Sequence, residues 1–208
     1  MRNIVAIILL LTSFALSAQN KPVANVDEFK HRLANEAKNI KSIESRFVQN
    51  KYLEVFDEQV KSTGTFRYQE SDKISFAYDK PVDYLMVING GRIKIEADGK
   101  KSTMNLGSNQ MANGIQSMMV ACVTGQLDAI ESDYTVNYFE NDKFYSVEIE
   151  PKKAAIKSYI SNIKIELNRV TMMVETLRLT EQGNNYTEYQ FQNPKYNVTF
   201  GQSQFSVE

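Results

Sequence analysis

The hydrophobic residues of this chain follow two periods, and the change between them predicts the order of its elements. In residues 25–41 apolar side chains recur every three or four positions, which predicts an amphipathic helix. Its apolar stripe consists of Val26, Phe29, Leu33, Ala37 and Ile40. Asn25 and Glu28 resemble a capping box at its start.

After this helix apolar and polar residues alternate, which is typical of antiparallel strands with one solvated face. The predicted strands cover residues 62–69, 73–81, 91–99, 134–140, 143–150, 161–167, 171–180 and 186–192. Asn89-Gly90-Gly91 and Asp98-Gly99 are tight-turn signals between strands. The residues that share a face in the first three strands are Gly64, Phe66, Tyr68, Ile74, Phe76, Tyr78, Ile93 and Ile95.

A methionine-rich segment, residues 109–127, interrupts the alternation and predicts a second helix that Gly125 caps. A short helical turn is expected in residues 126–131. One face of the helix would carry Met111, Ile115, Met118, Met119 and Cys122. Because methionine is flexible and polarizable, such a face suits a surface that accepts apolar partners, but it also suits an ordinary core.

The first residues predict export. Residues 1–18 contain Arg2, an apolar run and then small residues, which is the pattern of a signal peptide cleaved after Ser17 or Ala18. Residues 19–208 show no linker or internal repeat and are expected to form a single domain. We expect this domain to be soluble and monomeric and to reside in the periplasm.

Composition argues against most kinds of chemistry. The net charge is −1, so no nucleic-acid partner is expected. His31 and Cys122 are the only His and Cys and lie far apart in the sequence, which disfavours a metal site or a nucleophile pair. No nucleophile elbow or phosphate-binding glycine loop is present. We therefore expect no enzyme, catalytic residue, metal or cofactor.

Further motifs resemble those of the periplasmic outer-membrane lipoprotein carrier family of LolA type. Residues 40–52 carry Phe47 and Gln49 in an F-x-Q pattern like that of the family's first strand. Residues 62–95 are similar to its core signature, and residues 191–208 resemble its closing strand and tail. The positions that carry the core signature and the tail are Gly64, Phe76, Tyr78, Pro81, Asn89, Gly90 and Phe205.

The resemblance implies a fold that is mainly β with helices, an incompletely closed antiparallel β-barrel or curved sheet enclosing an apolar cavity under a helical lid. It implies a carrier that takes acylated lipoproteins from an inner-membrane ABC-type exporter to an outer-membrane acceptor. The residues expected to line the cavity are Phe47, Phe66, Ile74, Phe76, Tyr78, Leu85, Val87, Ile93, Ile95, Met111, Ile115, Met118 and Met119.

The chain departs from the family at one turn. Many members carry an Arg-Pro pair before the aromatic strand, and the resemblance implies that this arginine holds the lid. Glu70 and Ser71 stand there instead, and a carboxylate accepts hydrogen bonds where a guanidinium donates them. Either Arg67 or Lys73 would substitute, or the lid is regulated differently. This departure motivates an alternative function, a carrier for a glycolipid or pigment lipid. A second alternative is a lipoprotein-sensing interaction module of the same fold.

Overall fold

The structure is a computed structural model that describes residues 20–70, 72–106, 110–124 and 126–208. Within the second helix the structure describes the side chains of residues 113, 114 and 116–121. The predicted signal peptide, the Gly125 cap and the side chains of Met111, Ile115 and Cys122 therefore lie outside the described residues.

Three α-helices and twelve strands make up the described chain. The helices are α1 (Val26–Ala37), α2 (Gln110–Thr124) and α3 (Ala154–Lys157). The strands are β1 (Lys21–Pro22), β2 (Ser42–Leu53), β3 (Glu58–Gln69), β4 (Lys73–Lys80), β5 (Tyr84–Asn89), β6 (Arg92–Ala97), β7 (Lys100–Asn105), β8 (Tyr134–Glu140), β9 (Phe144–Pro151), β10 (Ile160–Asn168), β11 (Val174–Glu181) and β12 (Tyr186–Tyr196).

All described strands belong to one antiparallel sheet with the order β1-β8-β9-β10-β11-β12-β2-β3-β4-β5-β6-β7. Most neighbours are consecutive along the chain, but β12 pairs with β2, where Phe191 lies opposite Phe47. The sheet is not closed, because β1 and β7 pair on one side only. The prediction of a mainly β, incompletely closed antiparallel architecture is confirmed.

The tight turns form where the sequence predicts them. Gly90 and Gly91 both have positive φ, +56° and +72°, between β5 and β6. Asp98 and Gly99 do the same between β6 and β7. Such conformations favour Gly and Asp, which explains why these pairs stand between strands.

Helix α1 begins as predicted and ends earlier. The Asn25 side chain accepts a hydrogen bond from the Glu28 amide, which caps the helix, whereas the helix ends at Ala37 and leaves Ile40 outside. Lys30 fixes the helix by donating to Asp128 and Glu131, each at 2.6 Å. Burial alone would lower the pKa of Lys30, but these hydrogen bonds raise it above its ordinary value.

The sheet has an inner face, which α1 and α2 cover, and an outer face. An aliphatic cluster forms where the two helices pack on β8 to β11, with Leu33, Val147, Ile149 and Ile163 among its buried residues. An aromatic cluster lies on β2 to β5, and its buried members are Phe47, Phe66, Tyr68, Ile74, Phe76, Ile88 and Leu106. The two parts of the inner face thus differ in their main residue type, although the aliphatic cluster also contains Phe29, Tyr134 and Tyr138.

Candidate functional site

An apolar cavity of about 60 Å³ lies on the inner face where the aliphatic and aromatic clusters meet. Helices α1 and α2 and strands β2, β3 and β10 to β12 supply its wall, together with the turn before β11. The wall consists of Leu33, Ala37, Ile43, Ser45, Phe66, Met119, Ile165, Met172, Met173, Val174, Leu177, Phe191, Pro194 and Tyr196. A space with these walls favours hydrocarbon over water.

Period-two strand geometry places the strand residues of this wall. Ile43 and Ser45 on β2 are two positions apart, so both side chains point to the inner face. Ser45 is buried, and its hydroxyl lies 2.9 Å from the Gln192 carbonyl oxygen, to which it donates. The backbone therefore satisfies the only side-chain hydroxyl of β2 in the wall and keeps the cavity apolar.

Three methionines border the cavity. Met119 comes from α2, and Met172 and Met173 come from the turn between β10 and β11. Met172 is buried although its φ is +58°, a region that bulky side chains rarely adopt. The predicted strand 171–180 accordingly begins only at Val174, because the Met172 amide turns back to the Asn168 carbonyl. The wall thus contains adaptable side chains on two sides.

Aromatic rings form the floor next to the cavity. Phe66 contacts Phe191 and Phe76, with ring centroids 5.3 Å and 5.0 Å away, and Phe76 in turn contacts Phe47. Gly64 makes room for Phe47, since a Cβ at this glycine would lie 2.5 Å from the ring's Cζ. This close approach is the physical reason for a glycine in that strand.

A polar trio, Gln49, Tyr78 and Tyr189, lies beyond Phe47 on the same face. The Gln49 Nε2 donates to both tyrosine hydroxyls, at 3.0 and 2.8 Å, and the two hydroxyl oxygens are 2.9 Å apart. Burial raises the pKa of Tyr78, and the adjacent Tyr189 raises it further. Burial also raises the pKa of Tyr189. Both hydroxyls therefore stay protonated at neutral pH and keep their hydrogen-bonding capacity.

Helix α2 divides its methionines between two environments. Met118 is fully buried in the aliphatic cluster, whereas its neighbour Met119 is half-buried and lines the cavity. Two polar side chains join the helix to the sheet. Asn113 donates to the Leu106 carbonyl at 2.8 Å, and Gln116 reaches the Asp72 carbonyl at 3.4 Å.

The structure brings only part of the predicted cavity set together. Phe66 and Met119 line the cavity. Phe47, Ile74 and Phe76 form the aromatic cluster, with Tyr78 and Ile93 packed against it, and Ile95 is half-buried two positions after Ile93. Met118 belongs to the aliphatic core instead.

The prediction that Leu85 and Val87 line the cavity is wrong. They lie on the outer face, where Val87 packs with Phe205 and Val207 of the C-terminal segment and Leu85 packs against them. Their neighbours Met86 and Ile88 contact the aromatic cluster on the inner face. A strand that is apolar on both faces does not reveal which alternate set points inward.

The position where the resemblance implies a lid-holding arginine lies in an exposed turn. Glu70 follows the last residue of β3, and its amide donates to the Lys41 carbonyl at 2.8 Å. Arg67, one of the two residues expected to substitute for that arginine, pairs its guanidinium with Glu44 at 2.9 Å. The described link between this turn and α2 is instead the Gln116 contact to Asp72.

Sequence reasoning missed most of the wall. The sequence places Leu33 and Ala37 only in an apolar helix stripe. It places Ile165 and Leu177 only in alternating strands. The alternation did indicate that these side chains share a face. It could not indicate that this face meets the aromatic strands, because that depends on the pairing of β12 with β2.

Two further observations limit the chemistry of the described part of the chain. It contains no group of three or more His, Cys, Asp or Glu side chains that could hold a metal ion. None of its helices combines the length and apolarity that a membrane crossing requires.

Among the similar solved structures, a DUF1329 family protein from Desulfovibrio piger supports the fold, with a TM-score of 0.50. It has 14% identity over 86% of this chain and 96% of its own. A LolA superfamily protein from Nitrosomonas europaea has 8% identity over 85% and 97%, with a TM-score of 0.45. In the Pseudomonas aeruginosa MucA/MucB complex the matched chain has 14% identity over 89% of this chain and 62% of its own, with a TM-score of 0.48.

The sequence comparisons differ in outcome. No curated protein matches this chain. The family model of the outer membrane lipoprotein carrier protein LolA matches residues 38–208, which includes the whole sheet except β1 and all of α2. This chain therefore belongs to the LolA family of outer membrane lipoprotein carrier proteins.

Proposed function

We propose that this protein is a periplasmic carrier that holds the acyl chains of lipoproteins on the inner face of its sheet. It receives them from an inner-membrane ABC-type exporter and delivers them to an outer-membrane acceptor. The observation that carries this proposal is the apolar cavity between α1, α2 and the sheet. Family membership supports the same cargo.

The energetics explain why such a cavity is needed. Each buried methylene is worth about 0.8 kcal/mol, so a sixteen-carbon chain gains roughly 12 kcal/mol on leaving water. A lipoprotein with two or three such chains does not cross an aqueous compartment unaided. The predicted signal peptide in residues 1–18 would place the carrier in such a compartment.

The cavity has to widen to admit cargo. Its volume is about 60 Å³, whereas pockets that enclose a small ligand begin at about 300 Å³. Met119 and Met173 can change rotamer without leaving an apolar environment. Outward movement of α2 would extend the cavity over the aromatic cluster, because Met119 and Val120 cover that cluster. Loading is therefore coupled to displacement of this helix.

Binding of a fluorescent hydrophobic dye tests the carrier function. The parent protein should bind the dye saturably, with a stoichiometry near one, and a synthetic dipalmitoyl lipopeptide should displace it. Ala37→Leu fills part of the cavity from α1 and should weaken dye binding. Ala34→Leu is the matched control, since Ala34 is exposed on the same helix. Absence of saturable binding by the folded parent would overturn the proposal.

Mass spectrometry of lipids extracted from protein purified without detergent tests the cargo. Acylated peptide fragments are the expected finding, and free glycolipid or pigment lipid would replace lipoprotein as the cargo. Transfer from exporter-containing vesicles to outer-membrane vesicles then tests the donor and the acceptor. Transfer that is equally efficient without the protein would argue against the shuttle.

A further inference from the structure

The polar trio is unusual because it sits on the apolar inner face, in contact with the aromatic cluster. Phe47 contacts Tyr78 and Tyr189, with ring centroids 4.9 and 5.6 Å apart, and both contacts are edge-on. Gln49, Tyr78 and Tyr189 are each half-buried. The hydrogen-bonding groups are therefore held at the border between the aromatic floor and solvent.

The trio is also close to the cavity. The Tyr189 ring stacks on Phe191 at a centroid distance of 6.4 Å, and Phe191 lines the cavity. On β12 the two residues are two positions apart and thus share the inner face. An acyl chain that starts at the trio and passes along the Tyr189 ring would therefore reach the cavity wall at Phe191.

Counting donors and acceptors shows that the trio can accept a further partner. Among the described residues, Gln49 Nε2 uses both of its hydrogens on the two tyrosine oxygens, and one tyrosine hydroxyl donates to the other. One hydroxyl hydrogen and the Gln49 Oε1 remain, and no described residue bonds to either. The trio thus offers one donor and one acceptor side by side.

We propose that Gln49, Tyr78 and Tyr189 form a subsite for the carbonyl-bearing connector, ester or amide, that joins the acyl chains of the cargo to its head. The free hydroxyl hydrogen donates to the connector's carbonyl oxygen. Where the connector is an amide, its N–H donates to Gln49 Oε1. This inference rests on the proposed function. It adds that the carrier binds the polar connector of the cargo as well as its hydrocarbon chains.

The chemistry of the trio favours such a group. Its three members are neutral, and their donors and acceptors match a neutral carbonyl compound. A tyrosine hydroxyl is protonated at neutral pH, and because burial raises the pKa of both tyrosines further, the donor is also present at higher pH. A connector seated there also leaves the head of the cargo toward solvent, while the acyl chains run along Phe191 into the cavity.

Two lipopeptide probes separate carbonyl recognition from burial of hydrocarbon. One carries two ester-linked palmitoyl chains on an S-glyceryl cysteine peptide, and the other is its dialkyl ether analogue without ester carbonyls. A third probe, diphenylhexatriene, is hydrocarbon alone. The parent should bind the ester probe about five-fold more tightly than the ether probe, the factor expected for a single net hydrogen bond.

Tyr78→Phe and Tyr189→Phe remove one hydroxyl each and keep the rings. The double variant should bind both lipopeptides with equal affinity and should bind diphenylhexatriene as the parent does. Tyr84→Phe is the matched control, because the Tyr84 ring contacts Tyr78 at 5.3 Å but its hydroxyl takes no part in the trio. This variant should retain the ester preference. Melting temperatures confirm that each variant is folded.

The outcomes distinguish the two levels of the proposal. If the parent binds none of the three probes, the carrier function fails and the subsite fails with it. If the parent binds all three but the double variant keeps the full ester preference, the carrier function stands and the subsite is wrong. Loss of that preference in Tyr84→Phe as well would also overturn the assignment to the trio.

Discussion

The aliphatic and aromatic clusters occupy the same face of one sheet but are built differently. In the aliphatic cluster, branched side chains such as Val147 and Ile149 are completely buried beneath the helices. In the aromatic cluster, flat rings contact one another edge-on and end at a polar trio. The cavity lies where the two meet. The difference teaches that completely buried side chains away from the cavity serve stability, whereas the cavity proposed for binding has a wall to which both clusters contribute.

Met118 and Met119 test this difference most strongly, because Met118 is buried in the aliphatic cluster whereas the adjacent Met119 contacts both clusters and lines the cavity. Met118→Asp places an unpaired charge in the aliphatic core, where the side chain is 0% exposed. It should lower the free energy of unfolding by several kcal/mol and unfold the domain. Met119→Asp should fold and lose dye binding, since it faces the cavity. Circular dichroism melts and dye titration of both variants provide the measurement.

If the two variants behaved alike, the different roles assigned to Met118 and Met119 would be wrong. Unfolding of Met119→Asp would make α2 an ordinary core helix. A folded Met118→Asp that lost dye binding would place the cavity on the other side of the helix.

Truncations at two positions of the aliphatic cluster, one away from the cavity and one at its wall, should differ in what they change. Ile149→Ala removes a completely buried side chain and should lower the free energy of unfolding by about 2–4 kcal/mol, with dye affinity per folded molecule unchanged. Leu177→Ala, at the cavity wall, enlarges an existing space and should increase dye affinity. Urea unfolding and dye titration measure both effects. Increased affinity in Ile149→Ala would show that the cavity extends as far as Ile149.

Gly64 tests how tightly the aromatic floor is packed. In Gly64→Ala the new Cβ would lie 2.3 Å from the Ala77 carbonyl oxygen and 2.5 Å from Phe47, so both must shift. We expect a loss of about 1–3 kcal/mol, the usual cost of overpacking. Gly201→Ala is the control, because its Cβ would meet nothing within 4 Å. Equal stability of the two variants would show that Phe47 is loosely held.

Glu70→Arg should have the smallest effect on stability. The side chain is exposed in the turn after β3, so the expected change is about 0.5 kcal/mol or less. If this turn holds α2, the added guanidinium donors should slow dye release, measured by stopped-flow exchange. An unchanged release rate would assign the link to the Gln116 contact with Asp72 alone.

The sequence by itself determined the local structure. The alternation of Ile74 and Phe76 placed both on one face, and the Asn25 cap started α1. Glycines with positive φ stand at the predicted turn between β5 and β6. These features depend on residues a few positions apart, so periodicity and turn chemistry reveal them. The family resemblance added the incompletely closed sheet that encloses a cavity under a helical lid.

Only the tertiary structure decided where the aliphatic and aromatic clusters of the inner face meet. It separated Met118 from Met119, moved Leu85 and Val87 to the outer face, and brought Leu33 and Leu177 to the cavity wall. It also joined Gln49 to Tyr189, which are 140 positions apart in the sequence. These placements follow from the pairing of β12 with β2 and the packing of helices on the sheet. Local patterns cannot fix them, because they arise from contacts between distant segments.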